Sequence, residues 1–404
     1  MKGAANRFGW YLALLQLFFT LCWTVYAIYL PKLAASAGIP ASAVIWILML
    51  DQAVFTVCDF LTGVAADKVT RTLGRIGPYV VAATALSCAA FLALPLVAAA
   101  GAPALLAVTL VWTITSSALR APPLMLLGKY AAKPALPYLS SLAMLGYGLA
   151  GAVAPYLAVT LRNLDPRWPF ALASLALVLT TLGMIAAERR LAAAPRPAND
   201  NASPFGHLSR PALVFALAMV VLALGYQIHF AIESGPLFLR FAQPADLEWL
   251  MPVFWIGFNV AMFPASAITK RVGGYAVMGA AGLIGALAIL AAHLAQGLGL
   301  MVVAQLAAGA AWGAILMSAF TVAFTIGENG GEGRMSGLLF SALALATFAR
   351  MAAVATGFGA DATLRTILAW LPVLCWALAG AALLWLAIAG LRRWTGVAQR
   401  EVRP

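Results

Sequence analysis

Six ionisable side chains fall inside long apolar stretches of this chain: Asp51, Asp59, Arg120, His229, Glu233 and Arg350. In a bilayer each such group costs roughly 2.5–3.5 kcal/mol to insert, so a group retained there is a candidate for binding, ion coupling or charge pairing. Asp51 and Asp59 share one stretch. As a helix it sets them about 12 Å apart in depth and roughly 80° apart around the axis, so both can face one central cavity without meeting the same substrate atom. Arg120 precedes Ala121-Pro122-Pro123, whose missing N–H groups free backbone carbonyls and can bend a helix. It either neutralises Asp51 or Asp59 as a buried pair or meets an anion. His229 and Glu233 are one helical turn apart, hence on one face, and make a candidate proton-handling pair. The blander readings are a hydrogen-bonded packing histidine and a carboxylate at the outer rim. Arg350 has no acidic residue in its own stretch, so a carboxylate across the cavity or an anionic ligand must satisfy it. Trp10, Tyr11, Trp23, Tyr26 and Tyr29 supply an interfacial belt, with Trp23 and Tyr26 deep enough to line a site.

Composition shows what must position these groups. The 404 residues are 64% hydrophobic and 9% charged, whereas soluble domains are roughly 45–50% apolar and roughly 25% charged. Such a chain cannot cover its surface with polar side chains, which excludes soluble enzymes, transcription factors and secreted domains. Twelve apolar runs are long enough to span a bilayer: 8–30, 43–66, 76–98, 104–130, 138–161, 169–187, 211–241, 247–268, 275–296, 298–326, 335–357 and 366–391. The predicted fold is all-α and integral to the membrane, with six-helix bundles at 1–187 and 211–404 joined by a polar linker at 188–210. An Asn201-Ala202-Ser203 sequon falls in that linker, where a cytoplasmic setting leaves it without meaning. Placing both termini inside puts 18 of the 25 Lys and Arg on the cytoplasmic side, five outside, and Arg120 and Arg350 within spans. The net charge of +12 is therefore topological and calls for no nucleic acid. The expected location is a bacterial cytoplasmic membrane. Cys22, Cys58, Cys88 and Cys375 all lie in apolar runs and form neither a disulfide framework nor a metal-binding pattern.

The segment Asp59-Phe60-Leu61-Thr62-Gly63-Val64-Ala65-Ala66-Asp67-Lys68-Val69-Thr70-Arg71-Thr72-Leu73-Gly74-Arg75 leads from the second span into the next loop. Its order of Gly, Asp four residues later, and Gly followed by a basic residue resembles the signature between the second and third helices of the major facilitator superfamily. The long Asp67–Gly74 spacing is similar to that of the glycoside-pentoside-hexuronide cation symporters and plant sucrose carriers. A weaker echo, Pro264…Lys270-Arg271-Val272-Gly273-Gly274, follows the eighth span about 200 residues on, as expected of two related halves. Physically, Gly63 lets a second helix approach and Asp67 can accept from a facing helix N-terminus. Arg71 and Arg75 can pair with Asp67, which together with Gly74 makes a breakable cytoplasmic latch. The resemblance implies that Asp59 helps hold the coupling cation and that the fourth-span arginine, Arg120, is functional. Two positions depart from the symporter pattern: Phe60 replaces a proline, and Phe55 stands where sodium-using members place a second carboxylate. A single carboxylate suits a proton better than Na⁺, which wants several oxygens. Gly146-Tyr147-Gly148-Leu149-Ala150-Gly151 spells a dinucleotide-binding pattern, yet no strand precedes it, and close helix packing is the better reading.

The expectation is a monomeric, proton-coupled carrier of a small organic solute working by alternating access, with no cofactor, metal site or enzymatic chemistry. Two rivals stand beside it: an organic-anion uniporter or exchanger using Arg120 and Arg350, and a transporter-like receptor or assembly factor that moves nothing.

Overall fold

The structure, a computed structural model, describes residues 2–192, 208–328, 330–357 and 362–401, and its regular elements are helical. Most of the expected linker, with its sequon, lies outside these residues. Among those described, twelve helices are long and apolar enough to cross a membrane: α1 Ala5–Ser36, α2 Ala41–Leu73, α3 Gly77–Ala100, α4 Ala102–Tyr130, α5 Lys133–Leu161, α6 Arg167–Leu191, α7 Arg210–Phe238, α8 Pro244–Val272, α9 Gly274–His293, α10 Leu298–Ile326, α11 Glu332–Ala355 and α12 Thr366–Ala389. An even number of spans puts both chain ends on one face, here called the terminal face.

The helices end where the sequence supplies breakers. No Gly or Pro occurs between Val64 and Leu73, so α2 continues two turns past the end expected at 66, and Asp67 and Arg71 are helical rather than in a loop. Gly74 stops it with φ of 70° and donates its N–H to Thr70 O at 3.0 Å. The α6 helix likewise runs to Leu191, so Glu188 belongs to a helix and not to the linker. Lipid-facing stripes follow helical spacing, as in α6, where Leu172, Leu175, Leu179 and Leu182 are all exposed.

The same pairings occur in both halves. In the first, α1 packs on α5 and α6, and α3 on α4 and α6; in the second, α7 packs on α11 and α12, and α9 on α10 and α12. Two seams, α2 against α11 and α5 against α8, join the halves. Small residues permit these approaches: Gly63 lies on the backbone of Gly333, Gly337 on the carbonyl of Asp59, and Gly146 on the carbonyl of Ala13. Gly148 and Gly151 face Phe258 and Trp255, so the glycine-rich run in α5 is a packing surface.

Two inner helices are irregular. In α4, Pro122 and Pro123 cannot donate to carbonyls one turn back, and the chain tightens to a 3₁₀ turn at Ser117–Leu119 with Arg120 at the bend. In α7, a π-turn at His229–Glu233 inserts extra backbone per turn.

Candidate functional site

A cavity of about 330 Å³ lies between the halves, walled by α1, α2, α4, α5, α7, α10 and α11. Its charged lining is Arg120 and Arg350; Gln16, Gln52, Gln227, Thr20 and Thr347 add neutral polar groups. Among the described residues no carboxylate lines it. The remaining wall is largely aromatic. On the second-half side, Tyr226 stacks on Trp312 with centroids 4.4 Å apart and planes 7° apart. On the first-half side, Trp23 stacks on Trp112 at 5.8 Å.

Arg120 reaches the cavity wall from the α4 bend. Its Nη1 stands 2.8 Å from Asp59 Oδ2, with the arginine side chain 15% exposed and the aspartate fully buried. The guanidinium lies over two rings, Phe55 at 4.7 Å to the centroid and Phe340 at 4.9 Å. Of the two alternatives for Arg120, the structure shows the buried pair, with Asp59 and not Asp51.

Three aspartates spaced eight residues apart on α2 meet different environments. Asp51 does not line the cavity; its Oδ2 accepts from Tyr26 Oη at 2.7 Å and its Oδ1 from Thr113 Oγ1 at 2.8 Å. Tyr26 is correspondingly buried behind the wall, whereas Trp23 lines it. Asp67 Oδ1 accepts from Gly333 N and Oδ2 from Arg334 N, both at 2.7 Å, at the N-terminus of α11. Asp59 pairs with the arginine and has the Ser117 hydroxyl beside it, yet neither of its oxygens accepts a well-aligned hydrogen bond.

His229 and Glu233 do not act as a pair. Each side chain instead reaches a partner on another helix. His229 Nε2 lies 3.2 Å from Gln305 Oε1, and Glu233 Oε2 lies 2.8 Å from His293 Nε2. Neither lines the cavity. Arg350 does, and among the described residues no ion pair holds it; its Nε is buried without a hydrogen-bond partner.

At the terminal face the halves are shut. Beyond the Asp67 bonds, Arg71 Nη2 donates to Gly330 O at 3.5 Å, and Lys133 pairs with Glu328 at 2.8 Å on the surface. Arg75 is exposed and takes no part in pairing with Asp67. Glu188, fully buried, accepts from Ile76 N at 2.8 Å and Gly77 N at 2.7 Å, clamping the start of α3 to the end of α6.

Gln305, His293, Glu188 and Phe340 carry no local sequence signal for these roles, because each acts on a residue far away in the chain. A buried glutamine in an apolar span is the nearest thing to a clue, since an amide there must find a partner.

Two six-helix halves around a mid-membrane cavity, with a shut seam on one face, define a carrier fold. Residues 12–240 match the Major Facilitator Superfamily family model. The chain belongs to the major facilitator superfamily and is a transporter rather than an enzyme. No curated protein matches it in sequence. Among solved structures it resembles the human organic anion transporter TETRAN, at 16% identity and TM-score 0.70, covering 95% of this chain and 99% of that one. The E. coli fucose:proton symporter FucP aligns at 13% identity and TM-score 0.67, over 93% and 97%. A bacterial homologue of the iron transporter ferroportin, in an outward-facing state, aligns at 13% identity and TM-score 0.72, over 95% and 99%. These likenesses establish the fold.

Proposed function

We propose that the protein is a proton-coupled carrier of organic anions, favouring flat aromatic ones, that works by alternating access as a monomer with its terminal face in the cytoplasm. The observation that carries this reading is Arg350, a guanidinium aimed at a cavity without carboxylates, its Nε buried and unpartnered. An unpaired buried cation is costly, and a planar oxyanion meets the guanidinium fork bidentately. Stacked rings on both sides of the cavity give a planar apolar body its contact area. The TETRAN likeness agrees with this reading, and the excess of Lys and Arg supports the orientation.

Asp59 is the proposed proton site. Asp51 and Asp67 have both oxygens filled, whereas Oδ1 of Asp59, the oxygen away from the Arg120 contact, accepts no well-aligned hydrogen bond and can take a proton. Protonation there removes the counter-charge from Arg120, whose guanidinium then serves an anion in the cavity beside it. Phe55, where a sodium site would need oxygen, instead lays its ring on Arg120.

The test is thermal stabilisation of the purified protein by benzoate, 2-naphthoate and terephthalate against glucose, fucose and choline. A ligand at a hundred times its Kd stabilises the native state by about 2.7 kcal/mol. The anions are expected to stabilise, and Arg350→Ala to weaken their binding about a hundredfold, as expected for a buried charged contact. Stabilisation by the sugars alone, for which the cavity glutamines offer hydrogen bonds, or unchanged anion binding by Arg350→Ala, would overturn the reading.

A further inference from the structure

The α2–α11 seam carries the latch and the Asp59–Arg120 pair on one continuous stripe. On α2 the stripe is Phe55, Asp59, Gly63 and Asp67, spaced every four residues; on α11 it is Gly333, Gly337 and Phe340. Gly333 donates its N–H to Asp67 Oδ1 at 2.7 Å and packs against Gly63. One turn deeper, Gly337 lies against the carbonyl of Asp59 itself. One turn deeper again, Phe340 lies against the Arg120 guanidinium at 4.9 Å, as Phe55 does at 4.7 Å. Phe340 is 8% exposed and is backed edge-on by Phe320 at 5.4 Å. Phe55, Asp59 and Arg120 all belong to the first half, so Phe340 is the second half's own contribution to the arginine's surroundings.

We propose that Phe340 is a positioning residue that joins closure of the terminal-face seam to the pairing of Arg120 with Asp59. The inference rests on the reading of Asp59 and Arg120 as the coupling pair. With the seam shut, the two rings hold the guanidinium in the plane where Nη1 meets Asp59. Separating α2 from α11 lifts one ring away and leaves the arginine against the other alone. Conversely, neutralising Asp59 removes the charge that keeps Arg120 under Phe340, and the seam loses its deepest cross-half contact. Both changes break the same contact, so their effects on the seam cannot be independent.

A double-mutant cycle tests this without any ligand. In a background lacking the four free cysteines, spin labels at Thr72 and Thr325, exposed near the terminal-face ends of α2 and α10, report open and closed seams by pulsed electron–electron distance measurement. Asp59→Asn and Phe340→Leu are each expected to raise the open-to-closed ratio about tenfold, the scale of a desolvated cation–π contact, and the double variant to raise it no further. Phe340→Tyr, which keeps the ring, should match the unsubstituted protein. Phe320→Leu, which removes a ring that does not touch Arg120, should multiply with Asp59→Asn. If Phe340→Leu does not fold, Phe340→Met keeps the bulk without the ring and completes the cycle. Multiplication to about a hundredfold in the Asp59–Phe340 double variant, or an unchanged ratio in Phe340→Leu, overturns the proposal. Failure of the anions to bind would leave this cycle readable, and an additive cycle would leave the anion reading standing.

Discussion

Asp51 and Asp59 are the same residue two turns apart on one helix, and their neighbours give them different work. Asp51 receives two hydroxyl donors and has no cation, so it ties α1 to α2 and α4 through Tyr26 and Thr113. Removing it in Asp51→Ala strands the buried Tyr26 hydroxyl, at roughly 1–3 kcal/mol, and leaves Thr113 Oγ1 only its bond to Thr109 O. The expected outcome is a thermal unfolding midpoint well below that of the unsubstituted protein, with Asp51→Asn close to normal. Asp59→Asn should act on transport instead. Accumulation of 2-naphthoate driven by a proton gradient disappears in proteoliposomes, and exchange of the same anion across the membrane persists. Accumulation surviving in Asp59→Asn would remove the residue from the coupling role. Asp59 and Arg120 are legible in the sequence because a charge in an apolar run is costly enough to need a reason. Their assignment to each other, and the exclusion of Asp51, is not legible, since it depends on Thr113 and Tyr26 reaching Asp51 from other helices. The expected His229–Glu233 pair gives way to partners far off in the chain, Gln305 for His229 and His293 for Glu233, which no residue pattern in that segment announces.

Element by element, hydropathy finds every span and misplaces their ends by up to two turns, because a helix continues past the apolar core of the bilayer until glycine or proline stops it. Glu188 shows the consequence. Its charge and its place beside two arginines mark it as linker, yet it closes the α6 helix and holds the first two amides of the α3 entry. A carboxylate at a helix start satisfies N–H groups that have no partner within the helix. Glu188→Ala leaves Ile76 and Gly77 amides buried without acceptors. It is expected to lower stability by about 2 kcal/mol, on the scale of a lost helix cap. Glu188→Gln should recover part of this through its remaining oxygen. The measurement is denaturation of the purified protein, and an effect within error for Glu188→Ala would show that water replaces the carboxylate.

For the whole molecule, access to the cavity from the terminal face depends on few strong contacts, and Asp67 makes two of them across the halves. Asp67→Asn keeps one acceptor oxygen and loses the charge, so the shut seam should weaken by about tenfold in population, the worth of a charge-assisted hydrogen bond. A cysteine placed at Ser336, buried on the seam, should then label about tenfold faster with a maleimide added from the terminal face. Equal labelling rates would remove Asp67 from the latch. The cavity above that seam has an electrical property of its own. With Asp59 and Arg120 cancelling and Arg350 unmatched among the described residues, the empty cavity carries one positive charge, Asp51 lying behind its wall. A monovalent anion arriving with one proton leaves that charge unchanged, so loaded and empty forms respond alike and voltage drops out of the complete cycle. A divalent anion with one proton makes the loaded cavity neutral. The complete cycle then moves one net charge and feels the field, by up to about 2.3 kcal/mol for each 100 mV, so under the proposed one-proton coupling the valence of the cargo decides whether the membrane potential can drive its transport.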